Sequence, residues 1–99
     1  MKLKELAHVR TGDKGNTCNI AVVAYTESGY RYLKEVLTAE KVKDFYSEIV
    51  KGEVIRYDVE AIGAFNFVMT ESLSGGVTRS LAVDKHGKAL GMALLEMSV

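Results

Sequence analysis

Apolar residues recur along the chain with two periods, and the switches between them outline its elements. Lys4 to Arg10 alternates weakly, with Leu3, Glu5, Ala7 and Val9 on one side and Lys4, Leu6, His8 and Arg10 on the other. Asn19 to Tyr25 is apolar almost throughout, as suits a strand covered on both faces. These two segments are expected to pair as a hairpin. Ser28-Gly29 opens a stretch in which Tyr30, Leu33 and Leu37 recur at helical spacing. Thr38 is a good N-cap for a second helix with Val42, Phe45, Tyr46 and Ile49 on one face and Gly52 just past its end.

Val54 to Glu60 switches to period two, placing Ile55, Tyr57 and Val59 on one face and Arg56, Asp58 and Glu60 on the other, the pattern of a half-buried strand. Ile62, Phe65, Met69 and Leu73 return to helical spacing and predict a helix ending at Gly75-Gly76. Ser80 to Val83 reads as a strand and Asp84-Lys85-His86-Gly87 as a turn. Leu90, Leu94 and Met97 predict a final helix, with an edge strand over Leu94 to Val99 as the alternative. Together these elements predict an α+β two-layer sandwich, an antiparallel or mixed sheet with helices on one face.

Composition narrows the functional classes. A chain of 99 residues is expected to form one domain, and an apolar share of 47% exceeds what one small core easily hides. Part of that apolar surface is expected at an interface, in a homo-oligomer or with another chain. Thirteen cations balance thirteen anions, which removes the electrostatic footprint of a general nucleic-acid binder. A single cysteine excludes an internal disulfide framework and suits a reducing cytoplasm. The opening run Met1-Lys2-Leu3-Lys4-Glu5 is neither a signal peptide nor a membrane span, so a cytoplasmic location is expected. One cysteine and two histidines show no zinc-ligand spacing, and neither a metal nor a cofactor is expected.

The stretch from His8 to Ile20 carries the most chemistry. Arg10-Thr11-Gly12-Asp13-Lys14-Gly15-Asn16 reads as a connection longer and more polar than a hairpin requires. Gly12 and Gly15 permit positive φ, which would let successive backbone N–H groups converge on an anion. Arg10 could offer a bidentate fork and Lys14 a point charge, while Asp13 could cap its own turn. A polar loop held by its own hydrogen bonds is the plainer reading. The stretch is not a phosphate-binding P-loop, whose glycine–lysine spacing it lacks.

Asn66, placed on the predicted helix beside its buried stripe, either bonds nearby backbone or reaches the glycine segment. Cys18 and His8 raise a nucleophile–base pairing, against which stands the habit of a lone cysteine to be a small core residue. His86, between Lys85 and Lys88, reads as an exposed turn residue. The candidate ligand-binding set is therefore Arg10, Thr11, Gly12, Asp13, Lys14, Gly15, Asn16, Asn19 and Asn66, with no catalytic residue assigned.

Arg10 to Asn16, followed by Asn19-Ile20, resembles the Arg-Ser-Gly-Asp-Lys-Gly-(Asp/Asn)-x-x-Asn-Ile signature of the AtuA-like domain. Phe65-Asn66-Phe67-Val68, Leu73-Ser74-Gly75-Gly76 and Asp84-Lys85-His86-Gly87-Lys88 resemble its other recurring blocks in the same order. Thr11 stands where serine is usual and keeps the hydroxyl. The resemblance implies a ferredoxin-like fold and a role as the small partner of a separately encoded large AtuA-type chain, in bacterial breakdown of branched or terpenoid carboxylic acids. Two function classes follow: a non-catalytic assembly module whose Gly-rich segment completes an anion site, or an autonomous small enzyme or binder of a carboxylate or CoA-linked metabolite.

Overall fold

The computed structural model describes residues 1–14, 17–47, 52–70 and 91–99, with the side chains of residues 13 and 14 left aside. Strands β1 (Ala7–Lys14), β2 (Thr17–Ala24), β3 (Val54–Val59) and β4 (Ala64–Thr70) form one sheet in the order β1-β2-β4-β3. Every pairing is antiparallel. Helices α1 (Glu27–Val36) and α2 (Ala39–Phe45) join β2 to β3, and residues 91–95 are helical. The α+β two-layer expectation holds, with the antiparallel form of the sheet.

Side chains alternate across a strand, so the register assigns each position to a face. Cys18, Ile20 and Val22 of β2 pair directly with Met69, Phe67 and Phe65 of β4, and all six are fully buried. Against this side pack Tyr30, Leu33 and Leu37 from α1 and its end, Val42 and Tyr46 from α2, and Leu3 and Leu94. Thr26 caps α1 by accepting the Gly29 N–H at 3.0 Å, and Thr38 caps α2 by accepting the Lys41 N–H at 3.1 Å. The second cap is the one expected; the first lies just upstream of Ser28-Gly29. Phe45 departs from its expected place on the apolar face and is 41% exposed.

The chain ends meet beneath this core. Leu3 donates its N–H to the Met97 carbonyl at 2.9 Å, and Lys2 and Ser98 form a single antiparallel bridge. The C-terminal segment is therefore the helix expected, over 91–95, and not the alternative edge strand from Leu94 to Val99, of which only the isolated bridge at Ser98 is strand-like.

Three expectations are corrected. Residues 64–70 are strand β4 rather than part of a helix. Phe65, Phe67 and Met69 keep a strict period of two, and ladders to β2 and β3 on both sides outweigh the helical spacing of Ile62, Phe65 and Met69. Gly63, with φ of 63°, turns the chain into this strand. The long connection is also absent: β1 runs to Lys14 and pairs with Thr17, leaving residues 15 and 16 between the strands. Finally, β3 is present but presents its apolar side away from the core, where Ile55, Tyr57 and Val59 are 39–53% exposed. The helix ending at Gly75-Gly76, the strand from Ser80 to Val83, the turn at Asp84-Lys85-His86-Gly87, Ile49 and Leu90 lie outside the described residues.

Arg56 explains why β3 tolerates this orientation. Its guanidinium donates to the Lys34 and Leu37 carbonyls at 3.0 and 2.9 Å and meets the Asp58 carboxylate at 2.8 Å. It also lies 5.1 Å from the centre of the Phe65 ring. The polar side of β3 thereby closes the C-terminal end of α1, where free carbonyls and the helix dipole favour a cation. Arg56→Lys keeps the charge but cannot bridge two carbonyls and a carboxylate at once. It is expected to cost about 1–2 kcal/mol, read as a lower midpoint in urea denaturation with an unchanged slope.

Candidate functional site

The sheet face opposite the helices carries the polar residues that sequence reasoning singled out. Cross-strand pairing places His8 opposite Val23, Arg10 opposite Ala21, and Gly12 opposite Asn19. Ala21 in turn faces Asn66, and Asn66 faces Tyr57. One row across all four strands thus reads Arg10, Ala21, Asn66, Tyr57, with the small Ala21 forming a dip between two polar neighbours. A cleft of about 610 Å³ lies here, bordered by His8, Arg10, Asn19 and Asn66 and floored by Ala21, Val23 and Ala64. Val59 and Ile62 form its far wall. A mostly apolar hollow with a few converging polar groups is the usual build of a small-molecule site.

Hydrogen bonding orients the polar end. Asn19 Nδ2 donates to Asn66 Oδ1 at 3.3 Å. That bond uses the Asn66 carbonyl and leaves its two amide hydrogens for other acceptors. Arg10 is exposed, and among the described residues no carboxylate pairs with it. His8 stacks on the exposed Tyr25 ring with centroids 5.6 Å apart, extending the rim in an aromatic ledge. The part played by Tyr25 has no sequence signal beyond its aromatic side chain, because only the hairpin register brings it beside His8.

Other expected site residues take different places. Thr11 pairs with buried Ile20 on the helix side, where a Cβ on Gly91 would come within 2.5 Å of its methyl group. Thr11 therefore belongs to the packing of residues 91–95 on β1 and lies away from the cleft. Gly12 does not take the positive φ expected of it; among the described glycines only Gly63 does. Its backbone, like that of residues 10–14 generally, belongs to the β1–β2 ladder, so a convergent nest of amides does not form over these positions. Asp13 and Lys14 are located by backbone register alone, paired with Cys18 and Thr17. Gly15 and Asn16 lie outside the described residues.

Cys18 and His8 are on opposite faces of the sheet, and the thiol is fully buried in the core. The nucleophile–base pairing is therefore overturned, and Cys18 is a core residue. It sits near the Tyr46 hydroxyl, whose ionisation is pushed well up by burial and by the neighbouring thiol.

A second hollow of about 560 Å³ lies where α1 begins, lined by Tyr25, Thr26, Arg31, Lys34, Glu60 and Gly63 among others. Its cations are already partnered: Arg31 pairs with Glu27 at 2.6 Å and Lys34 with Glu60. Arg10 has no such partner among the described residues, which makes the open-face cleft the better candidate for an anion.

The family model described as the AtuA ferredoxin-like domain matches residues 1–99, the whole chain. No curated protein and no solved structure matches it.

Proposed function

We propose, for a chain that belongs to the AtuA ferredoxin-like domain family, the role of a small binding module that holds an anionic metabolite on its open sheet face within a larger AtuA-type assembly. The observation that carries this reading is the cleft in which Arg10, without a carboxylate partner among the described residues, and the Asn19–Asn66 amides border an apolar floor. Such a lining suits a short branched carboxylate: its head accepts from Arg10 and Asn66, and its alkyl part rests on Ala21, Val23 and Ala64. The anion site expected of the Gly-rich segment is thereby moved from a backbone nest to a side-chain cleft at the same hairpin. In cellular terms the ligand would be a branched or terpenoid carboxylic acid under bacterial catabolism.

Assembly is supported by an apolar strip that runs on from the Val59–Ile62 wall of that cleft. Ile55, Tyr57, Val59 and Ile62 are 39–65% exposed and adjoin one another along β3 and the turn after it. A separately encoded large chain laid over this strip would close the cleft and bury the apolar residues.

Two measurements test the reading. Isovalerate titrated into the isolated chain is expected to move backbone amide signals of residues 8–10, 19–23 and 64–66, and Ala21→Leu, which fills the dip, is expected to abolish those shifts without unfolding the chain. Co-expression with a neighbouring large chain is expected to give co-elution in size-exclusion chromatography. A chain that binds isovalerate tightly yet never co-elutes would instead favour an autonomous carboxylate binder.

A further inference from the structure

The geometry points to Gly12 as a positioning residue that sets the orientation of the Asn19–Asn66 amide pair, and through it the preference of the cleft for groups that accept hydrogen bonds. This rests on the open-face cleft being the binding site. Gly12 needs no special backbone angle, so its conformational freedom does not account for it. What the position requires is the lack of a side chain. A Cβ there would lie 2.7 Å from Asn19 Oδ1 and 3.6 Å from its Cγ. Gly12 and Asn19 are directly opposed in the β1–β2 register, where side chains of one face approach closest. The Asn19 carboxamide oxygen occupies the space that any other residue at position 12 would fill.

The consequence passes to β4. With its oxygen over Gly12, Asn19 turns its NH₂ group toward Asn66 Oδ1. One lone pair of the Asn66 oxygen is thereby taken, while both hydrogens of its NH₂ are left for an acceptor in the cleft. Arg10, two strands away in the same row, is also purely a donor. The polar end of the cleft is thus weighted toward donors, which favours an acceptor head group such as a carboxylate. A methyl group at position 12 would push Asn19 aside. The obstacle is the far end of a flexible side chain, so the strands need not move.

The test is a double-mutant cycle on the full chain, with Gly12→Ala, Asn19→Ala and the pair together. Gly12→Ala is expected to keep the wild-type urea midpoint, to shift the Asn66 side-chain NH₂ resonances, and to weaken isovalerate binding about tenfold, as Asn19→Ala does. In the Asn19→Ala background, Gly12→Ala is expected to add nothing. Unchanged Asn66 resonances in Gly12→Ala, or an effect that adds in full to that of Asn19→Ala, would overturn the inference. Should the wild-type chain ignore isovalerate, the binding-site reading falls, and the side-chain resonances alone decide whether Gly12 positions the pair.

Discussion

Phe65→Ala is expected to remove about 3–5 kcal/mol of stability, a large part of the roughly 5–15 kcal/mol typical of a small domain. Phe65 is fully buried on β4, a central strand of the sheet. Its ring stacks on Tyr30 with centroids 4.7 Å apart, and the Arg56 guanidinium lies over it. Truncation therefore opens a cavity beneath α1 and removes one surface of the Arg56 contact that ties β3 to that helix. The Tyr30 hydroxyl, buried and without a hydrogen-bond partner among the described residues, would then border the void. Urea denaturation should show the midpoint falling by about 2 M or more at an unchanged slope. A shift of a few tenths of a molar would mean that the ring is not the centre of the packing described above.

Arg10→Ala is expected to weaken isovalerate binding by roughly 10- to 100-fold, the equivalent of about 1.5–3 kcal/mol for a charge-assisted hydrogen bond. The fold should hardly notice. Arg10 is exposed and makes no ion pair with a described residue, so the urea midpoint should stay where it is. Arg10→Lys should recover part of the affinity through its charge, though not the fork. Because the guanidinium stands in water, added salt should weaken wild-type binding and leave Arg10→Ala almost insensitive. Equal affinity in Arg10→Ala and wild type would remove the anion from the proposed role.

What could be read in advance depended on how local the deciding physics was. The cap at Thr38 and the helix after it follow from neighbouring residues, and both form, although α2 ends at Phe45 and leaves that ring exposed. Residues 64–70 follow from tertiary pairing. Ile62, Phe65 and Met69 fit a helix, and only ladders on both sides choose the strand. Alternation in β3 was legible, but which side met the core was not, since Arg56 and Asp58 satisfy each other and the end of α1. Arg10, Asn19 and Asn66 border one cleft, although residues 10–14 and 64–70 are strand where a loop and a helix were expected. Gly12 was read for its backbone freedom, whereas its place opposite Asn19 uses its missing side chain.

Odd and even positions along β1, β2 and β4 serve different masters. Ile20, Val22 and Phe65 look inward, while Asn19, Ala21 and Asn66 look out on the cleft. Neighbours in sequence are thus strangers in energy, because substituting one set leaves the other's packing largely intact. Replacing the half-buried Ala21 or Val23 should reshape the hollow while drawing little on the narrow stability margin that punishes interior changes. A sheet covered on one side only, as among the described residues, is in this sense a scaffold whose ligand preference can drift without endangering the fold that displays it.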